Sequence, residues 1–243
     1  MSEKSFNYFT SLAKNRDNYL EIAGRTNQMQ DAEKLIIPDI IQKLDINSKD
    51  KMLDIGCGPG NLLIMLLPHA KEIMGIDNES SIELLKKRCG AEKRILYKTG
   101  NFLDTPIDLK FDKILCYSVI HYLSNITEVF TFIYKALELL NPGGRALFGD
   151  IPNISKKERF LKSNYGKNID QEYHSLLKMT NKNKEPVSFF ENDEELVQFN
   201  DDLLIRILKE TRENGYHSYV LDQSTNLCLG YTREDILIVN PED

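Results

Sequence analysis

The chain has 243 residues, enough for one α/β domain with an insertion and for burying well over half of its unfolded surface. Its net charge of −6 argues against a general polyanion-binding surface, because nonspecific nucleic-acid affinity rests on neutralising many phosphates with Lys and Arg. The first ten residues lack the apolar stretch of a secretory signal, and no uncharged run of about 18 apolar residues occurs anywhere, so a soluble cytoplasmic protein is expected.

In chain order, residues 5–24 place Tyr8, Phe9, Leu12, Tyr19 and Ile22 at helical spacings and predict one or two amphipathic helices. Gly24 to Gln28 interrupts them, and Leu35 to Leu44 resumes a helix. Strands follow at 52–56, 72–76, 94–98, 112–117 and 145–150, with helices at about 60–69, 79–89 and 125–140 between them. This alternation predicts a doubly wound α/β fold, Rossmann-like, with a mostly parallel sheet. Asn141-Pro142-Gly143-Gly144 reads as the stop of the 125–140 helix. From Pro152 to Asp201 the pattern breaks into a polar segment carrying Tyr165, Tyr173, His174, Phe189 and Phe190; its length suits an inserted substrate lid. A helix over 203–214 and strands near 216–222 and 235–239 then close the fold as a terminal antiparallel hairpin. The expected organisation is an N-terminal helical segment, 1–46, covering a site in a domain of residues 47–243.

The most informative stretch is Met52 to Leu63, a buried strand running into a glycine-rich turn that opens a helix. Gly56, Gly58 and Gly60 carry no Cβ to block a ligand and tolerate the positive φ of a tight turn. Asp54 sets a carboxylate where a dinucleotide site would have to receive a pyrophosphate, which points to a cationic cofactor instead. The spacing is Gly-x-Gly-x-Gly followed by Asn61, whereas the dinucleotide fingerprint needs Gly-x-Gly-x-x-Gly; a nicotinamide oxidoreductase is thereby disfavoured. Asp77 ends the second strand about 20 positions on, where an acid can accept both hydroxyls of a ribose.

These segments, with Gly100-Asn101-Phe102 after the third strand and Phe111 to Cys116 as the fourth, resemble the class I S-adenosylmethionine-dependent methyltransferases. The resemblance covers residues 50–150 by motif. It implies S-adenosylmethionine as cofactor, with the methionine part at Asp54, Gly56 and Gly58, the ribose at Asp77 and Asn78, and the adenine at Asn101 and Phe102. Many relatives carry an aspartate where Asn101 stands, and an Asn can still accept through its carbonyl oxygen; Asp104 is a rival. Tyr117 and Ser118 follow the fourth strand at the carboxyl edge of the sheet, where ligands of such folds sit. Arg25 is a candidate clamp for the cofactor carboxylate, with a surface arginine as its plainer reading.

Methyl transfer to a hydroxyl requires a proton to be removed, and His121, after the fourth strand, and Asp150, at the end of the fifth, are the candidate catalytic groups. A packing histidine and a loop carboxylate are their alternatives. His69, His174 and His217 are weaker candidates. Position 116–119 reads Cys-Tyr-Ser-Val, not the Asn/Asp-Pro-Pro-Tyr tetrad that the amide and adenine-nitrogen methylases resemble one another in, and no Pro-Cys nucleophile of the cytosine-carbon kind is present. A small-molecule acceptor is therefore expected, with neither nucleic acid nor membrane as partner. O-methylation of a sugar-like or surface-polysaccharide precursor is the first reading, small-molecule N-methylation the second, and a non-catalytic cofactor-binding regulator the third. Cys57, Cys89, Cys116 and Cys228 form no Cys-x-x-Cys pair, so neither zinc nor a disulfide framework is expected, and no metal is implied. Dimerisation through the lid or the N-terminal helices is possible. The runs Lys86-Lys87-Arg88 and Lys156-Lys157-Glu158-Arg159 read as solvated helix faces.

Overall fold

A computed structural model describes residues 2–23, 30–180, 196–227 and 229–242. Arg25, Cys228 and the 181–195 part of the expected lid, including Phe189 and Phe190, lie outside the described residues. The chain opens with α1 (Glu3–Asn15), α2 (Tyr19–Ile22) and α3 (Gln30–Leu44). The central alternation is β1 (Lys51–Ile55), α4 (Asn61–Leu66), β2 (Glu72–Asp77), α5 (Glu79–Cys89), β3 (Ile95–Thr99), β4 (Phe111–Tyr117), α6 (Ile126–Glu138) and β5 (Leu140–Pro152). Helices α7 (Ile154–Leu161), α8 (Asn164–Thr180) and α9 (Asp201–Glu213) and strands β6 (His217–Asp222) and β7 (Arg233–Val239) complete it.

The seven strands run in the order β3-β2-β1-β4-β5-β7-β6. All pairs among β1 to β5 are parallel, while β7 is antiparallel to both β5 and β6. The last strand of the chain thus slots between β5 and β6, and β6 forms the edge. Strand periodicity splits the side chains between two faces. Leu53, Ile114, Cys116, Ala146 and Phe148 join α6 and α9 on one side, through Phe132, Ile133, Leu203 and Ile207. Met52, Leu115, Tyr117 and Leu147 join α3, α4 and α5 on the other, through Ile36, Ile40, Leu63, Leu66 and Leu85.

Local chemistry fixes the ends that matter. Asn125 caps α6 by accepting from the Glu128 N–H, while the Glu128 carboxylate accepts from the Ser124 N–H, a reciprocal cap of the kind that starts helices. Asn78 caps α5 by accepting from the Ser81 N–H at 3.0 Å. Two expectations need correction. The 60–69 helix ends at Leu66 and tightens into a 3₁₀ turn over Leu67–His69, because Pro68 offers no N–H to the α ladder. Asn141 to Gly144 lies inside β5: Leu140 pairs with Phe111 and Arg145 with Lys113, so the four residues bulge from a continuing strand.

Candidate functional site

The carboxyl ends of β1, β2 and β4 frame a cleft of about 740 Å³, part of it open to solvent, lined by Asp54, Gly56, Gly58, Asp77 and Ser118 among others. A smaller recess of about 280 Å³ shares Gly56, Asp77 and Val119 with it and continues toward Asn101 and Phe102. The floor between them is the glycine turn, where Gly56, Gly58 and Gly60 take φ of 76°, 53° and 85°. At Gly56 glycine is required twice over, since a Cβ there would sit 2.4 Å from Cγ2 of Val119. At Gly58 a Cβ would meet nothing within 4 Å, so that face of the turn is open to a ligand.

Two carboxylates dominate the electrostatics. Asp77 is tied to the turn: Oδ2 accepts from the Gly58 N–H at 2.8 Å, and Oδ1 accepts from the N–H and side-chain amide of Asn78. Burial pushes its carboxyl above the usual range against the pull of those hydrogen bonds. Burial also raises Asp54, to about 7, with the Asp77 charge adding to the effect. The pair is an anionic wall beside bare backbone, suited to a cationic group and a pair of hydroxyls. Asn78, expected as a ligand contact, is buried and does not line either cavity; it orients Asp77.

At the far end of the recess the Asn101 backbone carbonyl accepts from the N–H groups of Asp104 and Thr105, folding the loop after β3 so that Asn101 and Phe102 face the cavity. The Phe102 ring stands edge-on to Phe132 at 4.9 Å, and the Lys135 ammonium lies 5.3 Å from its centroid. Asp104 is exposed and not among the lining residues, which leaves Asn101 as the polar group at this end.

The N-terminal helices close the cleft from above, with Phe9, Ile22 and Ala23 in its wall. Phe9 packs edge-on to Tyr122 at 5.1 Å, and the Ser2 N–H donates to the Tyr122 carbonyl. On the opposite side the Arg88 guanidinium donates to the Pro59 carbonyl at 2.6 Å and to Oδ1 of Asn61 at 2.7 Å, and lies 4.2 Å from the Tyr19 ring centroid. The Asn61 amide in turn donates to the Tyr19 carbonyl at 2.9 Å. Arg88 is therefore not a solvated charge, as its Lys-Lys-Arg run suggests, but a clamp between the glycine turn and α2. Its helical spacing from buried Leu85 is the signal that places it inward. Phe9 covers the cleft as its place on the N-terminal helices predicts, while Asn61 and Tyr122 in the lining and Arg88 behind the glycine turn are residues that sequence reasoning missed.

The wall after β4 carries Tyr117, Ser118 and Val119. Ser118 has φ of 60° and Asp150 has φ of 58°, both in the left-handed region that side chains other than glycine seldom adopt. They are joined, the Ser118 hydroxyl donating to Oδ2 of Asp150 and the Ser118 N–H to the Gly149 carbonyl. Asp150 is buried behind Ser118 and does not line the cleft, so it reaches that space through the serine hydroxyl. His121 is half-buried with its ring 4.2 Å from that of Tyr122, and it is Tyr122, not His121, that lines the cleft. His69 and His217 are exposed and line neither cavity, and His174 pairs with Asp170 on α8. Among the described residues no cluster of three or more His, Cys, Asp or Glu could hold a metal, and no helix is long and apolar enough to cross a membrane. Cys57, Cys89 and Cys116 are free thiols.

A doubly wound sheet of this strand order, with a glycine turn after β1 and a carboxylate closing β2, is a Rossmann-like fold with a ligand cleft at the carboxyl ends of its strands. Comparison with known proteins agrees. Residues 53–146 match a family model described as a methyltransferase domain. An uncharacterized methyltransferase of Oceanobacillus iheyensis is 27% identical over 152 residues, covering 57% of this chain and 68% of that protein. Across the first curated relatives the matched region spans between 38% and 68% of their own length. Among solved structures, N-methyltransferase NodS from Bradyrhizobium japonicum in complex with S-adenosyl-l-homocysteine has a TM-score of 0.63 at 17% identity, covering 99% of this chain and 100% of that one. Haemonchus contortus phosphoethanolamine N-methyltransferase 1 has a TM-score of 0.72 at 17% identity, covering 99% of this chain and 49% of that one. These last two are likenesses of fold. Residues 53–146 thus resemble a methyltransferase domain, and the chain as a whole shares the fold of these methyltransferases.

Proposed function

We propose that the protein methylates a small molecule, and that the acceptor atom is an oxygen of a sugar-like metabolite. Bound S-adenosylmethionine supplies a methyl group on a sulfonium, open to in-line displacement. Asp54 holds a cationic ammonium, Asp77 the ribose hydroxyls, Asn101 and Phe102 the adenine, and the backbone of Gly56 and Gly58 lets the chain between them lie close. Phe9, Ile22 and Tyr122 exclude water from above. Lost water strengthens each of these polar contacts by lowering the local dielectric.

The observation that carries the oxygen reading is the Ser118–Asp150 pair at the cleft wall. A hydroxyl attacks readily only if its proton leaves as the new bond forms. Ser118 would take the acceptor proton on Oγ as it passes its own to the Asp150 carboxylate, leaving the acceptor oxygen free to receive the methyl group that the bound cofactor would supply. His121 is the alternative base, one turn away. A nitrogen acceptor is the second reading, favoured by the NodS and phosphoethanolamine N-methyltransferase folds; an unprotonated amine needs no strong base.

Isothermal titration with S-adenosylhomocysteine, with NAD as control and Asp77→Ala as the site variant, tests the cofactor assignment. Acceptors are then screened by mass spectrometry with S-adenosylmethionine and panels of sugars and amines. Methylated sugar whose formation Asp150→Asn abolishes supports the oxygen reading. Methylated amine, formed equally well by Asp150→Asn and faster as pH rises, replaces it with the nitrogen reading.

A further inference from the structure

The strain at Asp150 has a visible cause. In the β5–β7 ladder Phe148 pairs with Ile236 and Ile151 with Glu234, so Gly149 and Asp150 together stand opposite Asp235 alone. That is a β-bulge, two residues against one, and a bulge turns the side chain it carries away from the regular pleat. The Asp150 N–H, which would otherwise lack a ladder partner, donates to Oδ1 of Asp235 at 2.8 Å. The same oxygen accepts from the Gln223 amide at 2.8 Å, and that amide also reaches the Tyr117 hydroxyl at 3.3 Å. Asp235 is fully buried. Its other oxygen accepts from Nζ of Lys43 at 2.7 Å, and Lys43 also donates to Asp39 at 2.7 Å.

A buried ion pair contributes little to stability against an apolar pair of the same volume, so its presence calls for another reason. The reason lies in what it touches. Tyr117 and Ser118, both walls of the cleft, are reached from Asp235 by two routes, through Gln223 and through Asp150. Gly149 makes room for this, since a Cβ on it would sit 2.4 Å from the Tyr117 ring.

We infer that Asp235, hydrogen-bonded to Lys43, is a positioning residue: it locks the bulge at Gly149–Asp150, and through it and Gln223 sets the Ser118 and Tyr117 wall of the cofactor cleft. This inference rests on the cofactor reading given above. It adds two residues from α3 and β7, neither of which reaches the cleft, to the set that determines how the cleft is shaped. The role is orientation, because Asp235 touches no ligand.

The test is S-adenosylhomocysteine titration of the full chain by calorimetry, with Lys43→Met/Asp235→Leu, Asp235→Asn, Ser118→Ala and the combination of the first with the last. Lys43→Met/Asp235→Leu removes both members of the buried pair, leaving only the partly exposed Asp39 without its lysine, and it is expected to keep the wild-type circular dichroism spectrum while raising Kd about tenfold. Asp235→Asn keeps an oxygen for the Asp150 N–H but turns an amide donor toward Lys43, so its Kd should lie between wild type and the leucine variant. On a Ser118→Ala background the Lys43→Met/Asp235→Leu change should cost less than it does in the wild type, since only the route through Gln223 to Tyr117 remains to be lost. Should Lys43→Met/Asp235→Leu not fold, Asp235→Ser, whose oxygen is too short to reach the bulge, takes its place in the cycle. A folded variant with wild-type Kd, losses that add in full to Ser118→Ala, or Asp235→Asn as weak as the leucine variant would each overturn the inference. A wild-type protein that fails to bind S-adenosylhomocysteine overturns the cofactor reading itself, and this inference with it.

Discussion

With Asp54 proposed to hold the cofactor ammonium, cofactor binding is expected to be proton-linked. Burial, and secondarily the Asp77 charge, raise the Asp54 carboxyl to about 7, so close to half of the ligand-free molecules carry a proton there at neutral pH. An ammonium group seated beside it favours the ionised form, so binding expels that proton. Affinity for S-adenosylhomocysteine is therefore expected to be about tenfold weaker at pH 6 than at pH 8. At pH 7, calorimetry in buffers of different ionisation enthalpy should register release of about half a proton per site. The same shift acts on folding with the opposite sense. The unfolded carboxyl titrates at its model value of 3.8, so the folded protein holds a proton the unfolded chain has lost between about pH 4 and pH 7. This group's contribution to stability is thus present below pH 4 and is lost as pH rises through 7, by an amount on the order of 4 kcal/mol. Asp54→Asn removes that penalty: the variant should melt above wild type at pH 8 and alongside it at pH 4, while binding S-adenosylhomocysteine about 10- to 100-fold more weakly at pH 8. Affinity that is flat between pH 6 and pH 8, or Asp54→Asn melting below wild type at pH 8, refutes the reasoning.

Asp77→Ala should abolish measurable S-adenosylhomocysteine binding in the same titration, because it removes the ribose acceptor and the anchor of the Gly58 N–H together. Gly56→Ala should cost about 2–4 kcal/mol in chemical denaturation, the sum of a positive φ on a residue with a Cβ and a clash with Val119; a loss below about 1 kcal/mol would show that the turn relaxes freely. Tyr19→Ala removes the ring on which Arg88 rests and should speed S-adenosylhomocysteine dissociation in stopped-flow displacement several-fold, with the association rate little changed. Phe132→Ala should destabilise by about 3–5 kcal/mol and weaken binding as well, since Phe132 packs between Phe102 and Phe148 and lines the smaller recess.

The parts of this protein legible in its sequence are those encoded locally. The β1–β2 half shows itself through Gly56, Gly58, Asp54 and Asp77, because a positive φ demands glycine and a strand end demands its own residue types. Element order followed from periodicity for the same reason, with strands found within one or two residues at β1 to β4. What the sequence hid depends on contacts between distant segments. Arg88 looks like the end of a basic run until α5 is seen packed under the glycine turn. Asn141 to Gly144 has the composition of a turn, yet the ladder to β4 resumes across it and makes it a bulge. His121 and Asp150 sit at the right strand ends, but only packing decides that Tyr122 and Ser118 face the cleft in their stead. Asp235 is the extreme case: nothing nearby in sequence marks it, since its partners Lys43, Asp150 and Gln223 come from three other segments.

The place of β7 sets an order on how this protein matures during synthesis. Residues 51–117 can assemble β1 to β4 and the carboxylate pair as soon as they emerge, since β1, β2 and β3 pair in turn and β4 returns beside β1. The Ser118 wall waits, because the bulge at Gly149–Asp150 has no partner for its N–H until Asp235 has left the ribosome and β7 has entered between β5 and β6. A nascent chain would therefore form the glycine turn and its two carboxylates well before the Ser118 wall, which is completed only as β7 docks.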